Sequence, residues 1–197
     1  MLKDRYFYPL AIACIIGMVF YAMSKADYED LTKNMVFENG FIINGEDLAT
    51  LTASPGTLYN YTATTSSEQA FVTLRTNVPR EKTIPSAGVF AALGEIYEAA
   101  FATQNLKMTI RARQGRTDPL THFDMGYFTA DVGDSGWVRQ SLTPQWKDYS
   151  LEFTPNSPVN DLGVDYAGIW PGDKGKNETM DVQFIKIDIL SKTDAKP

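Results

Sequence analysis

The chain has 197 residues, enough for one globular domain with a short appendage. Its 44% hydrophobic and 21% charged content excludes a disordered or fibrous chain, and a net charge of −6 argues against a nucleic-acid binder, which needs a basic face. One cysteine and one histidine exclude an intramolecular disulfide, a cysteine-cluster metal site and a histidine-built zinc site.

The apolar residues are concentrated at the start. Residues 1–5 carry Lys3 and Arg5, and the 18 residues from Tyr6 to Met23 carry no charge. As a helix that run is ~27 Å long, near the ~30 Å of a bilayer's hydrocarbon core. Tyr6, Phe7 and Tyr8 at one end and Phe20 and Tyr21 at the other form the interfacial aromatic belt of a membrane span. The segment has no polar face, which argues against a buried core helix. A cleavable signal peptide is the rival reading, because Ala22-Met23-Ser24 has the small-x-small spacing of a cleavage site. We expect a retained single-pass anchor over 6–23, in contact with lipid, with Cys14 inside it. Lysine and arginine number two on each side, so orientation rests on the short leading segment, which favours a cytoplasmic N-terminus at the inner membrane. The rest of the chain then lies in the periplasm or outside the cell. Setting aside Lys3, Asp4 and Arg5 leaves that part at −7 and without cysteine.

Residues 24–34 read as a polar stalk, 35–191 as a β-sandwich and 192–197 as a tail. Leu106, Met108, Ile110 and Ala112 alternate with Lys107, Thr109, Arg111 and Arg113, as in a strand with one buried and one wet face. Tyr149, Leu151 and Phe153 repeat the pattern, and Val72 and Leu74 sit opposite Phe71 and Thr73. Phe123, Met125 and Tyr127 face Asp124, Gly126 and Phe128, so both faces of that strand are partly apolar. Near the end, Met180, Val182 and Phe184 hold one phase and Ile185, Ile187 and Ile189 the other, which predicts a β-bulge or a strand crossing between sheets. Gly94 to Thr103 has helical spacing but suits only a crossover turn. Turn signals such as Asn39-Gly40, Ser54-Pro55-Gly56 and Gly133-Asp134-Ser135-Gly136 separate about eight to ten short strands, the signature of a sandwich or barrel.

The stretch Thr143-Pro144-Gln145-Trp146-Lys147-Asp148-Tyr149-Ser150-Leu151-Glu152-Phe153 resembles the W-x-x-Y-x-x-x-F strand of jelly-roll carbohydrate-binding modules and the wider galactose-binding-like group. Ala87-Gly88-Val89 through Ala112-Arg113 is similar to their preceding strands, and Val182 to Leu190 to their last. The resemblance covers about two thirds of the domain. It implies a two-sheet antiparallel jelly roll that binds a sugar or a protein surface and performs no chemistry. It also implies that Trp146 opens a strand and packs in the core.

Sugar rings stack on exposed aromatic side chains, and the candidates are Trp137, Trp170, Tyr127 and Tyr166; the alternative for each tryptophan is a half-buried rim position. Arg111, Arg113 and Arg116 form the one basic cluster, either a docking patch or a strand face paired with acidic neighbours. The loop Asp131-Val132-Gly133-Asp134-Ser135, and Asp173 with Asp181, offer oxygen ligands for calcium, although such loops are also ordinary hairpin composition. No resident metal or other cofactor is expected. His122 is the one imidazole and has neither a nucleophile elbow nor a free thiol beside it, so no enzyme is expected. Two functions remain. One is a membrane-anchored, non-catalytic module for a glycan or a partner surface. The other is a single-span accessory subunit of an inner-membrane complex of respiratory or photosynthetic type, whose small residues Ala11, Ala13, Gly17 and Ala22 permit close helix packing.

Overall fold

The computed structural model describes residues 12–21, 34–84, 87–129, 133–156, 163–172 and 174–190. Numbered in chain order, one antiparallel sheet runs β3 (Thr57–Thr62), β4 (Phe71–Thr76), β11 (Thr179–Ile189), β6 (Leu106–Gln114) and β9 (Lys147–Phe153), with β1 (Phe41–Asn44) also paired to β11. The other runs β2 (Thr52–Ala53), β5 (Val89–Leu93), β10 (Asp165–Trp170), β7 (His122–Phe128) and β8 (Val138–Ser141). We call them the β11 sheet and the β10 sheet after their central strands.

Period-two patterning places one phase of each strand between the sheets. Ile110, Met125, Ile169, Ile185, Leu74 and Phe123 are all essentially inaccessible and belong to one core. The long strand β11 organises its sheet. Its first half pairs with β4 and its second half with β1, while β6 runs along the whole of its other side. The phase switch read in the sequence appears as a register shift between Val182 and Phe184, which lets both Val182 and Ile185 face the core. The short crossover appears as the helix Glu95–Phe101, entered from Gly94, which buries Ala100 and Phe101.

Residues 34–39 form a helical turn that the sequence pattern did not suggest. Val36 is its one buried anchor in the core, and Gly40 donates to the Val36 carbonyl at 2.8 Å. Gly40 has φ +64° and a Cβ there would lie 2.2 Å from the Ile187 carbonyl oxygen, so only glycine lets the chain enter β1 at this point.

Of the apolar segment 6–23, residues 12–21 are described: they are helical with every side chain exposed. Residues 6–11 and 22–23, with 1–5, 24–33 and the tail, lie outside the described residues. Among the described residues no helix is long and apolar enough to cross a membrane.

Candidate functional site

The outer face of the β10 sheet is the distinctive surface. The inward phase of its strands carries Val89, Ala91, Ala167, Ile169, Met125 and Tyr127, so the outward phase carries Phe90, Tyr166, Gly168, Trp170, Gly126 and Phe128. Three strands therefore put an aromatic group on a face that a half-wet sheet would leave polar. Phe90 packs edge-on against Tyr166 at 5.8 Å and Phe128 at 6.3 Å, and Phe128 lies 4.7 Å from Trp137.

Glycines form the floor. Phe90, Gly168 and Gly126 are register partners across β5, β10 and β7. Trp137, just before β8, lies over Gly168 and Gly88: a Cβ at Gly168 would be 3.0 Å from Trp137 Cη2 and 2.8 Å from Phe90 Cε1, and one at Gly88 would be 3.1 Å from Trp137 Cη2. Gly168→Ala therefore displaces at least two rings. We expect it to lower stability by about 1–3 kcal/mol and to shift tryptophan emission to the red as Trp137 lifts; an unchanged spectrum and melting curve would refute this packing.

The four sequence candidates separate. Tyr166 is 39% exposed at the centre of the face, and Trp137 is half-buried beside it. Trp170 is fully buried, which corrects its reading as a loop-edge ring. The Arg80 guanidinium lies between the two tryptophans, 4.9 Å from the Trp170 ring and 5.0 Å from that of Trp137, within cation–π range of both. The Trp170 indole N–H is buried without a hydrogen-bond partner. Tyr127 is also corrected. It points between the sheets, 1% exposed, and its hydroxyl donates to Asp165 Oδ2 at 2.5 Å. A ring without an exposed face offers a sugar nothing to stack on.

Trp146 departs from the expectation of a core residue. It precedes β9, is half-buried on the outside of the β11 sheet, and stacks on Arg113 at 4.2 Å and edge-on to Phe71 at 6.2 Å. Sequence alternation beginning at Lys147 could not fix the side taken by a residue outside the strand.

The arginine cluster sits on that same outer face, and each member is ion-paired. Arg111 meets Asp148 at 3.1 Å with both partly exposed, a pair worth about 0–1 kcal/mol. Arg113 Nε donates to Asp181 Oδ2 at 2.9 Å, and its Nη2 lies 2.8 Å from Glu68 Oε1, out of line for a hydrogen bond, so that contact is coulombic. Arg116 takes the other Glu68 oxygen at 2.5 Å. The paired reading of these residues thus describes their geometry.

Of the calcium candidates, Asp131, Val132 and Asp173 lie outside the described residues. Asp181 is committed to Arg113 and to the Thr73 hydroxyl, and Asp134 accepts the Thr129 amide. Among the described residues no three His, Cys, Asp or Glu side chains gather as a metal site. His122 opens β7, exposed, with Thr121 Oγ1 2.9 Å from its Nδ1.

Sequence reasoning missed a buried acidic group. Asp165, 1% exposed, shares the end of the sandwich with Tyr127 and with Glu98 of the helix Glu95–Phe101, whose Oε2 accepts the Gly163 amide. Burial pushes the Asp165 carboxyl up to about 6; the Tyr127 hydrogen bond opposes this, and the charges of Glu98 and Asp134 add to it. Burial likewise pushes the Tyr127 phenol far above its usual range, so it remains the donor. The odd position of Asp165 in the apolar phase of β10 was the available signal.

No protein-family model and no curated protein matches the sequence. Solved structures do match in fold. The C-terminal family 22 carbohydrate-binding module of Clostridium thermocellum Xyn10B aligns with 79% of this chain and 95% of its own at a TM-score of 0.56 and 13% identity. The second family 22 xylan-binding domain of Paenibacillus barcinonensis Xyn10C aligns with 76% of this chain and 99% of its own, at 0.53 and 10%. A further family 22 xylan-binding domain gives 0.54 at 12% identity over 77% of this chain and 94% of its own. At these identities the likeness is one of fold: this chain is similar to jelly-roll carbohydrate-binding modules in architecture.

Proposed function

We propose that this protein is a non-catalytic, membrane-anchored glycan-binding module whose binding surface is the outer face of the β10 sheet. The observation that carries the reading is the aromatic shelf of Tyr166 and Trp137 on a glycine floor. Flat rings with one accessible side suit the CH face of a pyranose. Xylan binding in the fold neighbours supports the sugar class without selecting the sugar. Residues 6–23 anchor the chain in lipid, supported by their charge-free run, their aromatic ends and the exposed helix at 12–21. The N-terminus faces the cytoplasm and the sandwich the periplasm or the exterior.

Retention of the full-length protein, in detergent micelles, on immobilised polysaccharides tests this reading. We expect binding that falls roughly fivefold or more in Tyr166→Ala and at least as much in Trp137→Ala, since each ring contributes about 1 kcal/mol or more. The first variant leaves the fold intact because Tyr166 is exposed. Mild-detergent purification yielding a stoichiometric complex, with no retention on any polysaccharide, would instead favour the accessory-subunit role.

A further inference from the structure

The aromatic shelf leads into a basic groove. Along β10 the outward residues after Tyr166 are Gly168 and the buried Trp170, about 13 Å further along at the end of the strand. There Trp170 is paired across to Asp124, and Asp124 to Arg139. The segment after Trp170 returns against the loop after β4. Lys174 forms an isolated bridge with Pro79, and a Cβ at Gly175 would lie 2.4 Å from the Val78 carbonyl carbon. This contact sets Lys174 beside Arg80.

Two adjoining cavities result. One, about 590 Å³, is lined by Pro79, Arg80, Glu81, Arg139 and Lys174. The other, about 340 Å³, shares Arg139 and Lys174 and adds Lys176, His122 and Glu178 among its walls. Both volumes suit a small-molecule or sugar subsite. Four cations, Arg80, Arg139, Lys174 and Lys176, thus face three carboxylates, Glu81, Glu178 and Asp124, the last 3.1 Å from Arg139, a net positive lining on a chain whose net charge is −6. Lys174 and Lys176 are exposed at the mouth. Arg80 links the two regions, since its guanidinium lies on both tryptophan rings and also lines the groove.

We infer that the glycan carries an acidic group, a carboxylate or a sulfate on a sugar ring, and that this group sits in the groove while neighbouring rings lie on the Tyr166–Trp137 shelf. The inference rests on the glycan reading above. A groove with a net positive lining attracts an anion locally, whereas the negative remainder of the domain repels a polyanion that gains no such contact. Selection therefore requires both parts together: rings alone accept neutral sugars, and cations alone accept any polyanion. Guanidinium and ammonium groups bind such oxyanions through charge-assisted hydrogen bonds.

The test uses the full chain in detergent micelles with three probes: polygalacturonate for the carboxylate, dextran sulfate for the sulfate and a neutral arabinoxylan. We expect one acidic polymer to bind roughly tenfold or more tighter than the neutral one, with affinity falling as salt rises. Lys174→Glu/Lys176→Glu removes that advantage and leaves neutral binding unchanged. Tyr166→Ala weakens both. Lys107→Glu/Lys147→Glu, an equal charge change on the β11 sheet, leaves the preference intact. Equal affinity for acidic and neutral polymers overturns the inference while the glycan reading stands. Equal loss in both lysine pairs also overturns it, as does full polyanion binding in Tyr166→Ala, which would mark simple charge attraction. Absence of binding to every polysaccharide removes both readings.

Discussion

Arg113→Met lowers the thermal midpoint of the sandwich by roughly 10 °C. Arg113 is 13% exposed and its partner Asp181 only 3%, and among the described residues the Asp181 carboxylate otherwise has the Thr73 hydroxyl. Removing one partner of a buried ion pair leaves an uncompensated charge and costs about 3–5 kcal/mol. For a domain of this size each kcal/mol corresponds to about 2–4 °C. Glu68 loses its buried counter-charge too, although Arg116 still holds it. The stack of the guanidinium on Trp146 and Phe71 is lost as well. Methionine keeps the volume of the stem, so the loss reports the charge rather than a cavity. Arg113→Met/Asp181→Leu recovers most of the stability, because an apolar pair needs no compensation. A single variant that melts within 2 °C of the parent would show that water or another cation serves Asp181.

That network marks where sequence reading reached its limit. The alternation in β6 correctly placed Arg111 and Arg113 on the wet face, because period two is a local property. Their partners Asp148, Asp181 and Glu68 are 37, 68 and 45 or more positions away, and strand order, which no local pattern encodes, brings them together. The bulge near Val182 was legible because a phase switch within an apolar run has few other solutions. Tyr127 was legible as well: it shares a phase with Phe123 and Met125, both buried, and its reading as a ligand-facing ring ignored that phase. Trp170 was not legible. Its side of β10 faces outward, and among the groups that lie over it is Arg80, from a segment ninety positions earlier. The helical turn at 34–39 was hidden because its one buried residue, Val36, gives no periodicity to read. The aromatic shelf was visible only in part, since Phe90 and Phe128 looked like ordinary strand residues until register set them beside Tyr166 and Trp137.

The same register puts Asp165 between the sheets, and Asp165→Asn should make the protein more stable at neutral pH and change its response to acid. In the folded chain the carboxyl titrates near pH 6, against an ordinary value near 4. Between these values the folded state holds more protons than the unfolded one, so stability falls as pH rises through that window. Below about pH 4 both states are protonated and the folded form carries no penalty. Above about pH 6 the whole penalty is present, about 3 kcal/mol for a shift of about two units. The physical origin is visible in the contacts: Oδ2 accepts from Tyr127, Oδ1 is buried without a partner, and Glu98 adds a like charge. Asparagine is neutral throughout and its carbonyl still accepts from Tyr127. Urea unfolding of the parent should therefore lose about 3 kcal/mol between pH 4 and pH 7, the reverse of ordinary acid denaturation for this group. The variant should lack that loss and exceed the parent at pH 7. Tyr127→Phe provides the opposite arm, because deleting the donor strips the carboxylate of its one hydrogen bond and destabilises most at neutral pH. Parallel pH profiles for the parent and Asp165→Asn would mean that the carboxylate is solvated, and the buried acid at this end of the sandwich would lose its role in stability.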